Sequence, residues 1–528
     1  MAKTPEKWDV EDEQFWESTG KSIAMRNLWI SIPNLLCGFA IWLYWGMIAK
    51  SIIGIHAGNA ALFNFTFGGE SNLIGGDYTA LLLTLPAVAG IAGATLRLPN
   101  SFMIAISGGR NVKFMTTVML IIPAVLTGYA LKDPNVSFIT LIILAAMSGV
   151  GGGAFSSSMS NISFFFPKKM QGLSLGLNAG IGNLGVSAMQ LAIPYSIHRG
   201  LFGTFGGAGH VSADGASTIW IQNASFIWVL PMIVLAVLAW FGMNNLPQHQ
   251  KEAGPAPQAI GKFLWLTLLG FIGAAVGILT LLAPQLIGFD FNPVLWTFVV
   301  LPVAILTTLG LMRYATPKNV RGNLQSQFVI FKNKHNWVMT YLYVMTFGSF
   351  IGYAASFPIL MKTIFPAASA YYIFIGAGVG ALIRPVGGWM ADKWGGAKVT
   401  QWDTVVMVAA TIAAGYFVMK GRTAGNDSMS YFFPFLISFI ILFATTGIGN
   451  GSTFRMIPFI FNKEQAGPVL GFTAAIAAYG AYLIPRLIKT QIKAGTPEYA
   501  LYGFAAYYAT CLAVNWWFYA RKNAEIPC

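Results

Sequence analysis

Apolar residues occur in long runs along this chain, and polar residues gather in short stretches between them. Fourteen runs reach the ~20 residues that a membrane-crossing helix needs. They cover residues 27–50, 78–104, 113–131, 136–164, 170–197, 222–243, 262–287, 293–313, 337–362, 369–392, 400–420, 431–461, 467–490 and 498–520. The pattern predicts an all-α polytopic membrane protein. An even number of spans places both termini on one side. Lys and Arg decide which side: about twenty fall on the face with the termini and about eight on the other, so both termini are expected in the cytoplasm. Arg110, Lys113, Lys168, Lys169, Arg313, Lys318, Arg321, Lys332 and Lys334 belong to the first group; Lys132, Arg199, Lys362 and Lys420 belong to the second. The stretches 51–77 and 198–222 become long outer loops.

Two segments occur twice. Residues 93–112 read GATLRLPNSFMIAISGGRNV and residues 380–399 read GALIRPVGGWMADKWGGAKV. Aligned on Arg97 and Arg384, they match at Gly93/Gly380, Ala94/Ala381, Met103/Met390, Gly108/Gly395, Gly109/Gly396 and Val112/Val399. More weakly, residues 152–176 resemble 447–471, with the same layout of helix, short basic loop and helix. Parallel repeats about an axis normal to the membrane characterise the two halves of major facilitator transporters. The expected fold is therefore two six-helix halves plus two extra central helices, 262–287 and 293–313. The corresponding division is a cytoplasmic segment 1–26, an N-terminal half 27–244, a linker 245–336 holding the extra pair and a basic loop, a C-terminal half 337–521, and a tail 522–528.

Composition agrees with this picture. The chain has 528 residues, 55% hydrophobic and 9% charged, with mean hydropathy +0.62; a soluble domain carries about 25% charged residues. The net charge of +14 is spread over short loops rather than held in a block, so no nucleic-acid partner is expected. Cys37, Cys511 and Cys528 have neither a disulfide framework nor a metal spacing, and no cofactor is expected. The N-terminus is polar and partly acidic, unlike a cleaved signal peptide, so the first run is expected to be a true span.

The chemistry centres on Arg97 and Arg384. A charge at bilayer depth costs at least ~2.5 kcal/mol on insertion scales. Snorkelling to a helix end is the simpler explanation, but each arginine lies more than a turn from its Gly-Gly loop. A buried ion pair is another. The acids Glu70, Asp77, Asp133, Asp214, Glu252, Asp290, Asp392, Asp403, Asp427, Glu464 and Glu498 all read as loop or helix-end residues, which leaves no mid-membrane partner. Two unpaired cations at equivalent places suggest one anion held between them. The guanidinium fork suits a flat oxyanion better than the point charge of lysine.

Other residues add to the candidate site. Gly172, Gly176 and Gly180 are four apart and form one smooth helix face, which close packing alone also explains. With Gly182, and with Gly471 and Gly480 in a second small-residue segment, they are candidate conformational motifs. Asn178 and Asn183 bring amides that can donate to an anion without adding charge. Tyr343 and Phe347 share a helix face, and with Phe155 they can shape a flat slot. Arg455 reads as structural or gating, and Asp392 with nearby basic residues as a latch between helix ends. The five histidines read as loop or helix-end residues. A core with no titratable group besides tyrosine, and a two-cation site costly to move empty, favours obligatory exchange over proton symport.

RLPNSF around Arg97, FSSSMSNISFFFPKK, GLNAGIGNLG, YLYVMTFGSFIGY and GFTAAIAAYGAYLIP together resemble the nitrate/nitrite porters of the major facilitator superfamily. The stretch 8–31 is similar to the bacterial NarK type. The resemblance spans nearly the whole chain. It implies exchange of nitrate for nitrite across the bacterial inner membrane in nitrate respiration, and a functional link to a membrane nitrate reductase. It also implies an anion held by Arg97 and Arg384, flanked by Phe155, Phe347, Tyr343 and Asn183. The chain departs from the pattern in its two extra spans, its long outer loops, and Ala477 and Ala481 where glycines are usual. Proton-coupled uptake is the alternative on the same scaffold. An anion sensor lacks an output domain here, and an enzyme lacks any visible nucleophile–base set.

Overall fold

The computed structural model describes residues 5–65, 78–288, 292–369 and 372–528. Glu70, Asp77 and Asp290 lie outside the described residues. The long helices, in chain order, are α1 (Lys21–Leu43), α2 (Thr84–Asn100), α3 (Gly109–Ala130), α4 (Phe138–Phe165), α5 (Gln171–Ile197), α6 (Val229–Gly242), α7 (Ala256–Ile287) and α8 (Pro293–Tyr314). Then α9 runs through Lys334–Tyr343 and Ser349–Ile364, joined by a π-helical turn, Val344–Gly348; α10 through Ile373–Leu382 and Arg384–Trp394; α11 through Gly396–Thr423; α12 through Phe432–Ile460. Finally, α13 runs through Lys463–Ala478 and Gly480–Lys493, and α14 through Glu498–Asn515, continued by a π-helical turn at Trp516–Ala520.

Among the described residues, twelve helical spans are long and apolar enough to cross a membrane. The two others, α5 and α14, are as long as their neighbours but richer in Gly, Ser, Asn and Tyr, which lowers their hydropathy. The fourteen expected runs each become a helix. The first outer loop is shorter than expected, because a helix Trp45–Gly58 continues beyond Leu43. The extra pair, α7 and α8, packs on itself and against α2. Its outer side bares Leu295, Phe298 and Leu306, as a lipid-facing surface requires.

The repeat is visible in the backbone. Gly108 (φ 80°) and Gly395 (φ 93°) are equivalent positions, and each turns the chain into the next helix, α3 or α11. A side chain is strained at such φ values. The described residues nearest both termini lie at this same end of the bundle: Trp8 Nε1 donates to Phe164 O (3.0 Å), and Ala397 N donates to the Cys528 carbonyl (2.9 Å).

The spans are broken in several places, and three of the breaks bear on the site. Pro385 lacks the N–H that would bond back to Ala381, and α10 restarts at Arg384, so the arginine sits on a fresh first turn. In α13 the break is at Tyr479. The third is the π-turn of α9, between Tyr343 and Phe347; π-turns recur at functional sites.

At the end opposite the termini, Arg422 of α11 grips Glu498 of α14, with Nη2–Oε1 2.5 Å and Nε–Oε2 3.2 Å. The Glu498 side chain is 3% exposed and that of Arg422 is 35% exposed. Removing the arginine strands a buried carboxylate. Arg422→Ala is expected to cost about 2 kcal/mol, the partial exposure of the arginine moderating the loss. A lower thermal midpoint of the detergent-solubilised protein, recovered by adding Glu498→Gln, is the check.

Candidate functional site

The glycine face of α5 sets the spacing of the two halves. A Cβ on Gly172 would lie 2.4 Å from Gly388 O, one on Gly176 3.0 Å from Pro385 Cα, and one on Gly180 2.7 Å from Ala381 O. All three oppose α10, the helix that carries Arg384. Gly182 faces elsewhere, onto Leu35 of α1. Gly471 packs on Ser101, and Gly480 on the carbonyl of Gly348 at the end of the π-turn.

Arg97 is fully buried, and Arg384 is 1% exposed. Arg97 donates from Nε to Gly152 O (2.8 Å) and from Nη1 to Ala474 O (3.0 Å). It thereby ties α4 of one half to α13 of the other. Its Nη2 has no hydrogen-bond partner among the described residues, and neither do Nε, Nη1 and Nη2 of Arg384. The Tyr343 hydroxyl is likewise buried and unpartnered. The two guanidinium groups and this hydroxyl lie within electrostatic reach of one another.

Rings enclose these donors. Arg97 lies over Phe155 (4.6 Å from Cζ to the ring centre), Phe347 (4.8 Å) and Trp42 (5.1 Å). Arg384 lies over Phe350 (4.8 Å) and Phe347 (5.7 Å). Phe347 thus touches both cations. The rings form a stack: Tyr343 on Phe454 (4.1 Å, 8°), Tyr343 on Phe347 (5.6 Å, 5°) and Phe155 on Phe347 (5.0 Å, 17°). Cation–π contacts offset part of the burial cost of the arginines, but leave in-plane donors free. Buried donors without partners cost ~1–3 kcal/mol each. The arrangement therefore favours a small, flat anion that accepts several hydrogen bonds in one plane.

Of the residues singled out from the sequence, Arg97, Arg384, Tyr343, Phe155 and Phe347 come together. Asn183, on α5, donates to Ala179 O (2.6 Å), and its Oδ1 is unpartnered. It sits one turn beyond Gly180, whose Cβ position lies 3.2 Å from Arg384 Cβ. Asn178 sits in a different cluster: its amide donates to Ser158 Oγ (3.2 Å), which also meets Ser31 (2.7 Å) and Lys113 Nζ (3.0 Å). Phe454, Phe350 and Trp42 were not anticipated. Among 40 phenylalanines, one more in an apolar helix carries no signal of its own.

Two expectations about charge are overturned. Asp403 is not a helix-end residue: α11 starts directly at Gly396, so Asp403 lies two turns inside it and is 7% exposed. Lys113 is not a solvated loop residue either. It faces into the N-terminal half, 4% exposed. The core thus holds an acid and a further cation besides the arginines. Arg455 meets Asp392 (Nε–Oδ1 3.5 Å) and lies over Phe459. Asp392 also accepts from the backbone N–H groups of Gly172 (3.1 Å) and Leu173 (2.9 Å) at the start of α5. That contact bridges the halves at the end that carries the termini. At the other end Thr95 meets Tyr479 (2.8 Å), and Ser187 donates to Phe374 O (3.2 Å). The site is closed on both sides.

No family model matches the chain. Against single proteins, it is 34% identical over 541 aligned positions to the nitrate/nitrite transporter NarU of Salmonella typhimurium, covering 98% of this chain and 96% of that one. The chain belongs to the nitrate/nitrite transporter family. NarU of Escherichia coli is 33% identical over 98% of this chain and 96% of its own length. The probable nitrate/nitrite antiporter NarK2 of Thermus thermophilus is 31% identical over 99% and 97%. Among solved structures, the proton:xylose symporter XylE aligns with TM-score 0.59 at 14% identity, covering 94% of this chain and 96% of that one. The human organic anion transporter MFSD10 aligns with TM-score 0.55 at 13% identity, covering 94% and 99%. These two likenesses show the major facilitator fold, as the repeats lead one to expect, and the apolar spans with the transporter relatives make the chain a multi-pass membrane protein.

Proposed function

We propose that this protein exchanges nitrate for nitrite across the bacterial cytoplasmic membrane by alternating access, with both termini in the cytoplasm. The observation that carries the reading is the convergence of unpartnered donors from Arg97, Arg384 and Tyr343 inside a stack of rings. Arg97 comes from the N-terminal half and Arg384 from the C-terminal half, so an anion between them draws the halves together. The stacked rings of Phe155, Phe347 and Phe454 wall the donors with flat faces, which favours a planar anion over a tetrahedral one. Asn183 adds its amide from α5. The names of the relatives supply the identity of the anions.

Alternating access then means parting the α5–α10 contact at the cytoplasmic end while Thr95–Tyr479 and Ser187–Phe374 hold the other, and the reverse. Without an anion, closing the halves brings two unneutralised cations together in a medium where their repulsion is strong. That cost favours return of the site with a second anion aboard. Buried Asp403 is the observation that favours the other reading, proton-coupled uptake, because it removes the premise of a core without acids. Counterflow in proteoliposomes separates the two. Exchange predicts that nitrate enters vesicles loaded with nitrite and does not enter anion-free vesicles. Equal uptake in anion-free vesicles, with acidification of the lumen, overturns it. A link to a nitrate reductase is part of the proposal.

A further inference from the structure

Asp403 has no role in the clamp, and its surroundings are unlike those of a structural acid. Its Oδ2 is buried without a hydrogen-bond partner. Among the described residues, the backbone of Gly449, on α12, is the polar group set against the carboxyl, and it leaves Oδ2 unpartnered. Of the charged and titratable groups on the elements packed around α11, Arg384 of α10 is turned to the clamp, over Phe347 and Phe350, and the following are engaged elsewhere. Arg455 of α12 holds Asp392 of α10, and Lys393 lies over Trp389. On α14, Tyr508 bonds Ser349 and Tyr353 of α9, and Tyr507 bonds Tyr341 O. Tyr519 bonds His335, and Arg422 bonds Glu498. Asp427 lies in the segment Gly425–Tyr431, beyond the far end of α11. An ionised carboxylate at this depth, with an oxygen left unpartnered, has little to offset its lost hydration.

The same spot touches the anion site from behind. A Cβ on Gly449 would lie 2.8 Å from Asp403 Oδ2 and 2.6 Å from Thr346 Cγ2. Thr346 belongs to the π-turn of α9, between the two rings Tyr343 and Phe347 that line the clamp. Whatever moves α11 and α12 against this turn therefore moves the rings. A neutral acid leaves the contact packed. An ionised one needs water or a donor, and both require the helices to part.

We propose that Asp403 is a proton-binding site. It carries a proton while the clamp is closed and releases it when α11 and α12 separate from the π-turn, so that anion exchange is faster at acid pH. The proposal rests on the transport reading above. The test is nitrate/nitrite exchange in proteoliposomes between pH 5.5 and 8, with wild type and Asp403→Asn, an isosteric neutral side chain. The wild-type rate is expected to fall roughly tenfold or more towards alkaline pH. The variant is expected to stay within about twofold of the wild type's acid rate across the range. A variant that keeps the wild-type pH profile overturns the proposal. So does one that binds nitrate but exchanges at no pH, because the amide mimics the protonated form. A second measurement needs no variant: nitrate added to weakly buffered, detergent-solubilised wild type at alkaline pH should take up protons, read with an indicator dye. No uptake overturns the proposal. If wild type exchanges at no pH, the transport reading fails instead, and the dye measurement still decides the proton site.

Discussion

Arg384→Lys is expected to lower nitrate exchange at least ~100-fold although the charge is kept. Arg384 spends none of its three nitrogens on the protein, so all are available to the anion. A lysine ammonium reaches one point and cannot present parallel donors to a planar oxyanion. Losing even one charge-assisted hydrogen bond costs about 1.5–3 kcal/mol, and losing two accounts for ~100-fold or more. Arg97→Lys is expected to fail as completely, but for a compound reason. Two Arg97 nitrogens already hold Gly152 and Ala474, so the substitution also cuts a tie between α4 and α13. The distinction is measurable: Arg384→Lys should keep the wild-type thermal midpoint without nitrate, and Arg97→Lys should lower it. Exchange within a few-fold of wild type in Arg384→Lys would show that charge alone binds the anion.

Gly172→Val is expected to stop the cycle at the other end of the mechanism. The Cβ position lies 2.4 Å from Gly388 O and 2.6 Å from Asp392 Oδ1. The first is backbone and cannot swing away. The contact of α5 with α10, and the Asp392 hydrogen bonds to Gly172 and Leu173, both have to open. Overpacking of this kind costs about 1–3 kcal/mol. Because it acts only on the state closed at the end that carries the termini, it should bias the protein towards the state open there. Exchange should fall about 10–100-fold, whereas Gly46→Ala, which points into open space, should be neutral. An exchange rate at wild-type level in Gly172→Val would mean that the halves do not close through this contact.

Much of this was legible in the sequence because membrane physics leaves few options. Apolar runs of spanning length become helices, and here each of the fourteen did. The repeat around Arg97 and Arg384 was legible because the same turn is built twice, down to Gly108 and Gly395. The meeting of the two arginines in the core was legible because a buried arginine without an acid is costly enough to need a reason. The rest depended on where a residue sits relative to a helix start. Asp403 reads as near a loop, but α11 begins directly at Gly396 and carries it inside. Lys113 is four residues from the start of α3, yet it points inward to Ser158. Phe454 joins the ring stack only because α12 presents it beside Tyr343, and nothing in its neighbours announces that. The π-turn has no residue signature, although Tyr343 and Phe347 were rightly read as one face.

Two features of the sequence favour exchange: a core without acids and a two-cation site costly to move empty. Buried Asp403 removes the first. The second, the repulsion of two cations brought together by closure, is unaffected.

The most direct test of the clamp is equilibrium nitrate binding to purified protein by titration calorimetry, comparing wild type with Arg384→Ala. The account expects about one nitrate per chain in the wild type and a loss of affinity of at least ~100-fold in the variant. Wild-type affinity and stoichiometry in a folded Arg384→Ala protein would place the anion elsewhere and contradict the two-arginine site.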